Sequence, residues 1–285
     1  MTQSTEYLKR EFIGKQKLVI LSVTKRCNLF CKYCRTKDLW YDALGQKAKI
    51  VDLPREKWIK VLDICRDAGE ILITGGEPAE YPLIKEFLSF LTKNKIRFSI
   101  HTNGTSKKWP SILAYFKKNN LHPDIHLSTE LFPNLQREIR GCKLPMQFIA
   151  DVKRQKMLVE IKVTLHQKLL PYLDQLKENL YFWVEKGVDS MFFQPVALVG
   201  SQFPTGLELN NDFIPFLLKL KELKKDDRVL SKAIRKSEIG LDVIVSFLKK
   251  TNLYKREANK CKACTQIIFL NPELTVLNCK TLWRR

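Results

Sequence analysis

The 285-residue sequence contains no run of about 18 apolar residues, the shortest stretch that reads as a helical bilayer span. Its N-terminus, MTQSTEYLKREFIGKQK, lacks the apolar core of a secretory signal, so export is not supported and the expected compartment is the cytosol. Internal repeats and low-complexity linkers are also missing, and the four histidines, His101, His122, His126 and His166, fall into no metal-ligand spacing. Acidic residues are scarce, with 30 Asp and Glu against 50 Lys and Arg and a formal charge of +20. Such an excess attracts nucleic acid, an acidic peptide or an anionic surface. The basic residues are spread over the whole chain, as in KKDDR and FLKKTNLYKRE, rather than gathered with interleaved aromatics. That distribution reads first as a solvated, Lys-rich surface with no polyanionic partner, and it does not favour nucleic acid.

What is present is a globular composition, 45% hydrophobic and 28% charged, suited to one large domain or a domain with an appendage. From Leu18 onward, short β-branched or aromatic runs alternate with longer amphipathic ones, which reads as βα units around a parallel sheet. The predicted strands are LVILSVT at 18–24, EILIT at 70–74, RFSIHT at 97–102, DIHLST at 124–129, LVEIKVT at 158–164 and SMFFQPV at 190–196. Between them, REKWIKVLDICRDA places Trp58, Val61, Leu62 and Cys65 at helical spacing, and YPLIKEFLSFLTKN repeats the pattern. The expected fold is α/β, a partial (β/α)6 barrel of the TIM type with a small C-terminal appendage. Its divisions are an N-terminal extension at 1–17, the barrel at 18–206 and a helical and cysteine-bearing region at 207–285. Such architectures put their chemistry in the loops at the C-terminal ends of the strands.

Eight cysteines in a cytosolic chain are not expected to form disulfides, so their spacing carries the information. Directly after the first predicted strand, CNLFCKYC sets Cys27, Cys31 and Cys34 in a CxxxCxxC spacing. Three soft thiolates can hold three corners of an iron-sulfur cube and leave one iron open to a chelating molecule. A structural zinc would ordinarily require a fourth ligand, and free thiols are the remaining alternative. Cys65, on the apolar face of a predicted helix, reads as core packing, whereas Cys142, in a loop after Arg140-Gly141, is within reach of the same loops.

With this triplet, with Tyr33 before its third cysteine, TGGEP at 74–78 after the second strand and TNG at 102–104 closing the third, the sequence resembles the radical S-adenosylmethionine (radical SAM) superfamily over roughly residues 17–200. The resemblance implies that Cys27, Cys31 and Cys34 bind a 4Fe-4S cluster whose fourth iron is chelated by the amino and carboxylate groups of S-adenosylmethionine. One electron then cleaves the sulfonium to methionine and a 5'-deoxyadenosyl radical, which takes a hydrogen atom from the substrate. It assigns cofactor contacts to Tyr33, Gly75, Gly76, Glu77, Pro78 and Asn103. The glycines admit close backbone approach, leaving carbonyl or carboxylate oxygens for the methionine ammonium, although an ordinary turn also explains them. Ser128, at the fourth strand end, and Arg140, in REIRG, stand where relatives contact the ribose and the methionine carboxylate. Gln194, in FFQPV, either lines the same pocket or caps its strand, and Glu130 stands where relatives often carry Asp.

A second set, Cys261 and Cys264 in CKAC and Cys279 beyond TQIIFLNPELTVLN, brackets a predicted strand, turn and strand. A second iron-sulfur cluster, a zinc site with a borrowed ligand and unbound thiols are the three readings. Here the chain is similar to the twitch or truncated SPASM region of radical SAM maturases and to the GTP cyclase of molybdopterin biosynthesis, which implies an auxiliary 4Fe-4S cluster. Two features depart from those patterns: Leu274 replaces the usual hairpin glycine, and WRR follows where the cyclase has a Gly-Gly tail. The resemblance leads first to a maturase that crosslinks, epimerises or excises backbone from a ribosomal precursor peptide. Cofactor synthesis and tRNA modification are the alternatives; an electron carrier would need no GGEP motif. The residues before Leu18 are too few and too polar for a peptide-recognition domain, so a leader peptide would need a separate leader-recognition protein or a surface of this chain; an electron donor such as flavodoxin or ferredoxin is also expected.

Overall fold

The computed structural model describes residues 18–34, 50–65, 69–196, 206–235, 238–249, 267–274 and 276–277. Six strands follow the predicted runs: β1 (Leu18–Ser22), β2 (Glu70–Thr74), β3 (Phe98–Thr102), β4 (Ile125–Ser128), β5 (Val159–Leu165) and β6 (Ser190–Pro195). Between β1 and β6 lie α1 (Trp58–Cys65), α2 (Ile84–Lys93), α3 (Trp109–Lys118), α4 (Pro133–Arg140), α5 (Met146–Arg154) and α6 (Leu176–Glu185). After β6 come α7 (Ile214–Asp226), α8 (Arg228–Ala233) and α9 (Glu238–Leu248), then β7 (Ile267–Leu270) and β8 (Val276–Leu277). The sheet is open, in the order β6-β5-β4-β3-β2-β1-β7-β8, with seven parallel strands and an antiparallel β8.

The last hairpin belongs to the C-terminal region that the sequence marks as an appendage. It extends the barrel sheet itself: β7 pairs in parallel with β1 from Leu18↔Ile267 to Leu21↔Leu270. Left as an edge, β1 would expose a row of unpaired backbone groups, and β7 satisfies them. The other edge is extended by a single bridge from Ile234 to Met191, with the Arg235 amide donating to the Met191 carbonyl at 3.0 Å.

The two-residue strand period gives the sheet two unlike faces. Ile71, Ile73, Ile100, Ile125, Leu127, Ile161, Val163, Met191 and Phe193 are fully buried in the apolar core. Cys65 lies in the same core, as its helical spacing predicts. The alternate positions are mostly polar: His101 is level with His126, His126 with Glu160 and Glu160 with Ser190, while Ser128, Lys162 and Phe192 form the next row. Among the described residues no helix is long and apolar enough to cross a membrane.

Candidate active site

The cysteine loop leaves β1 at the C-terminal edge of the sheet and interlocks with the loop leaving β2. The Gly76 amide donates to the Thr24 carbonyl at 2.8 Å and the Glu77 amide to the Arg26 carbonyl at 2.7 Å. Both glycines are required by this approach. A Cβ at Gly75, where φ is +155°, would lie 2.5 Å from the Thr24 carbonyl oxygen, and one at Gly76 would lie 2.2 Å from that of Arg26 and 3.0 Å from Cys27 Cβ. Asp52 braces the same turn, accepting from Thr24 Oγ1 at 2.5 Å and from Arg26 Nε at 2.9 Å.

Glu77 does not face the loop opening. Fully buried, it accepts from the Asn103 amide at 2.8 Å, from Thr102 Oγ1 at 2.7 Å and from the Ala79 amide at 3.2 Å, so it ties the β2 loop to the end of β3. Burial pushes its carboxyl up to about 7 despite those donors. Pro78, buried beside it, opens a short 3-10 turn. Asn103 Nδ2 donates to Asn28 Oδ1 at 2.9 Å and points at Cys27 Sγ at 3.7 Å, and Asn28 Nδ2 reaches Thr105 Oγ1 at 2.9 Å.

On the other flank, Tyr33 enters a buried polar cluster. Its hydroxyl donates to Glu130 Oε1. Arg140 Nε donates to the same oxygen at 2.9 Å, and Arg140 Nη2 donates to the Tyr33 hydroxyl at 2.6 Å. His166 Nε2 lies 2.9 Å from Glu130 Oε2. Glu130 and His166 have no exposure and Arg140 has 5%, so the arginine is an interior residue, turned onto protein acceptors. Burial would raise the Glu130 carboxyl, but the His166 hydrogen bond and the Arg140 charge hold it below its ordinary value. The Lys32 amide, bonded to the Ile139 carbonyl at 2.8 Å, fastens the loop to α4 as well.

None of the three loop thiols is in a disulfide; Cys31 is buried, and Cys27 and Cys34 are partly so. Burial pushes Cys27 up to about 12 and Cys31 to about 11, the Arg140 charge opposing it at Cys31; Cys34 raises both further, and Cys31 raises Cys27. Among the described residues no three His, Cys, Asp or Glu side chains are drawn into a closed metal-holding set, so the thiols are loop neighbours and not a finished cage. Three soft donors, a backbone cradle that excludes any side chain at Gly76 and the nearby Arg140 charge nonetheless fit an anionic thiolate-ligated cluster. Cys142 Sγ accepts from Gln136 Nε2 at 3.2 Å and lies near enough to Cys31 to raise it.

Ser128 stands on the open face with its hydroxyl 2.6 Å from His101 Nε2. Burial, then the charges of His126, Lys162 and Arg140, push His101 down to about 3. Gln194 is exposed on β6 opposite Thr164 and takes no part in the contacts around Ser128. Cys261, Cys264 and Cys279 lie outside the described residues. Sequence reasoning missed Asn28, Thr102, Thr105, Gln136 and His166. Asn28 lies inside the cysteine motif and Thr102 opens TNG, so motif position was an available signal for both; His166, one residue past β5, offered only its place at a strand end.

An open α/β sheet with three thiols, a glycine cradle and an Asn at three adjacent strand ends defines a partial-barrel class of cofactor-dependent domains. Residues 21–145 match the family model of the radical SAM superfamily. That span is therefore a radical SAM domain, an enzyme domain. A stretch of 88 residues is 32% identical to GTP 3',8-cyclase of Campylobacter fetus subsp. fetus, covering 30% of this chain and 26% of that protein. Another of 148 residues is 26% identical to 7-carboxy-7-deazaguanine synthase of Prochlorococcus marinus, covering 50% of this chain and 53% of that one. The chain thus spans about a quarter to a half of the curated relatives it matches. Among solved structures, Streptococcus suis SuiB superposes with a TM-score of 0.69 at 18% identity, over 96% of this chain and 63% of SuiB. The protein anSMEcpe with bound AdoMet gives 0.64 at 18% identity, over 93% and 74%. At that identity the likeness is one of fold.

Proposed function

We propose that the protein is a radical SAM enzyme that modifies a ribosomally made peptide. The observation that carries the radical reading is the interlock of the Cys27, Cys31 and Cys34 loop with the Gly75-Gly76 backbone and Asn103. When bound there, a 4Fe-4S cluster and S-adenosylmethionine supply the electron and the 5'-deoxyadenosyl group that remove a hydrogen atom from the substrate. The three thiols hold the cluster and the β2-loop carbonyls receive the methionine ammonium. Ser128 stands where the ribose is expected, and the Tyr33–Glu130–Arg140–His166 cluster fixes the loop's pose. Flavodoxin or ferredoxin is the proposed electron donor.

The peptide reading draws support from the fold, shared with a SuiB structure bound to precursor peptide SuiA at TM-score 0.62 and 16% identity, and from the basic chain, which suits an acidic leader. The proposed auxiliary 4Fe-4S site at Cys261, Cys264 and Cys279 fits a maturase with a twitch or truncated SPASM region. Cofactor synthesis is the second reading, favoured by 32% identity to the Campylobacter fetus GTP 3',8-cyclase over 88 residues. The test is anaerobic reconstitution, reduction with dithionite and chromatography for 5'-deoxyadenosine, with an encoded precursor peptide, GTP or bulk tRNA added separately. Cys31→Ala is expected to abolish cleavage; full activity in that variant removes the radical reading. Turnover with GTP or tRNA and none with peptide replaces the peptide assignment alone.

A further inference from the structure

The open face of the sheet carries a charged group that the cysteine loop does not use. Glu160, 5% exposed, accepts from His126 Nδ1 at 3.0 Å, from Ser190 Oγ at 3.1 Å and from Arg235 Nη1 at 2.7 Å, and it pairs with Lys162 as well. These donors come from β4, β5, β6 and the bridge beyond β6, so four neighbouring segments converge on one carboxylate. Two oxygens offer about four acceptor positions, and four donors fill them. The donors themselves are not used up. Arg235 brings five N–H groups, one of which meets Glu160, and its side chain is 59% exposed. Lys162 lies with Nζ 4.3 Å from the Phe192 ring centroid, an apolar wall beside the charge. Among these three side chains, Lys162 and Arg235 against Glu160 leave one excess positive charge, on a face that also carries hydroxyls, imidazoles and the Phe192 ring.

We propose that Lys162 and Arg235, oriented by Glu160, form a subsite for a carboxylate of the substrate, an acidic side chain of the modified peptide. This deepens the peptide reading above and rests on it. A single excess charge is balanced by one carboxylate, which the planar guanidinium grips in a fork. A triphosphate would bring several more negative charges than this group of side chains neutralises. The position also suits substrate: Lys162 is level with Ser128 across β4 and β5, so a carboxylate held there lies beside the proposed ribose contact. Glu160 acts as a positioning residue, holding Lys162 and Arg235 at one point.

The test is equilibrium binding by fluorescence anisotropy under anaerobic conditions, with the full-length reconstituted protein and a fluorescein-labelled tri-glutamate peptide. A tri-glutamine peptide is the neutral control, and glutarate and tripolyphosphate are competitors at matched ionic strength. Arg235→Gln and Lys162→Met are each expected to weaken tri-glutamate binding about tenfold. Lys118→Gln and Lys225→Gln, which remove the same charge elsewhere, are expected to weaken it less than twofold, and glutarate to compete. Thermal melting monitored by circular dichroism identifies folded variants, and exposed Arg235 provides the decisive one if Lys162→Met is unstable. Equal weakening by all four substitutions overturns the subsite, as surface charge then explains the binding. Stronger, Arg235-dependent competition by tripolyphosphate overturns the carboxylate assignment. Because no turnover is read, loss of binding and loss of 5'-deoxyadenosine formation are separate results.

Discussion

Glu77 and Glu160 are both buried carboxylates, yet their surroundings displace them in opposite directions. At Glu77, burial outweighs the hydrogen bonds from Asn103, Thr102 and Ala79 and holds the group up to about 7. The native state therefore binds its proton more tightly than the unfolded chain does, and stability is lost as pH rises from the ordinary carboxylate value through about 7. Glu77→Gln removes that dependence. Its stability relative to the parent is expected to rise between pH 5 and 8 by on the order of 3 kcal/mol, read from anaerobic urea unfolding at each pH. At Glu160, burial is opposed by the hydrogen bonds and charges of His126 and Lys162, which leave the group well below its usual range. Its contribution is present above the ordinary carboxylate value and lost as pH falls through the depressed one. Glu160→Gln is thus expected to be less stable than the parent at neutral pH, with the deficit shrinking in acid. A deficit that grows in acid counts against the ion cluster as its source.

Two elements meet without slack where the β1 and β2 loops exchange hydrogen bonds, because a Cβ at Gly76 would sit 2.2 Å from the Arg26 carbonyl oxygen. Backbone cannot give way there as the tip of a side chain would, so Gly76→Ala is expected to cost about 1–3 kcal/mol in unfolding and to reduce retained iron. Unchanged iron content and melting would show that the loops part freely. Arg140→Met takes the cation from buried Glu130, leaving Tyr33 and His166 as its partners, and is expected to cost about 3 kcal/mol. The sequence made most of this framework legible. Strands β1 to β6 appeared because each is a short β-branched or aromatic run at a regular interval, and the motif glycines marked where loops touch. Pairing partners are a different matter, since hydrophobic periodicity identifies a strand but not its neighbour; β7 reads as a hairpin arm whichever sheet it joins. The buried role of Arg140 was hidden for a related reason. Its acceptors, Glu130 and Tyr33, are 10 and 107 residues away in sequence, and only the fold brings them together.

At the scale of the whole molecule, the last hairpin joins the sheet beside the strand that leads into the cysteine loop. β7 runs parallel to β1 and begins level with Leu18, and its turn at Asn271 to Leu274 reaches the cysteine-loop edge, where Lys25 Nζ donates to Glu273 Oε1 at 3.0 Å and Lys57 Nζ to the Glu273 carbonyl at 3.1 Å. β8 then returns antiparallel, with Leu270 opposite Val276. The start of β7 therefore lies toward the N-terminal edge of the sheet, whereas Leu277, the end of β8, is level with Phe269 and so with Ile20, midway along β1. Cys264 precedes the one by three residues and Cys279 follows the other by two. In sequence the second cysteine set flanks this hairpin, while Cys27, Cys31 and Cys34 follow β1, so the two sets are read as separate sites. Replacing Cys261, Cys264 and Cys279 with Ala is accordingly expected to remove about half of the bound iron while uncoupled cleavage of S-adenosylmethionine persists. Iron analysis and 5'-deoxyadenosine chromatography on the same preparation decide it. Full iron content, or stoichiometric zinc in the parent protein, would rule out the second cluster. Complete loss of cleavage in a folded variant would mean that the two sites depend on each other.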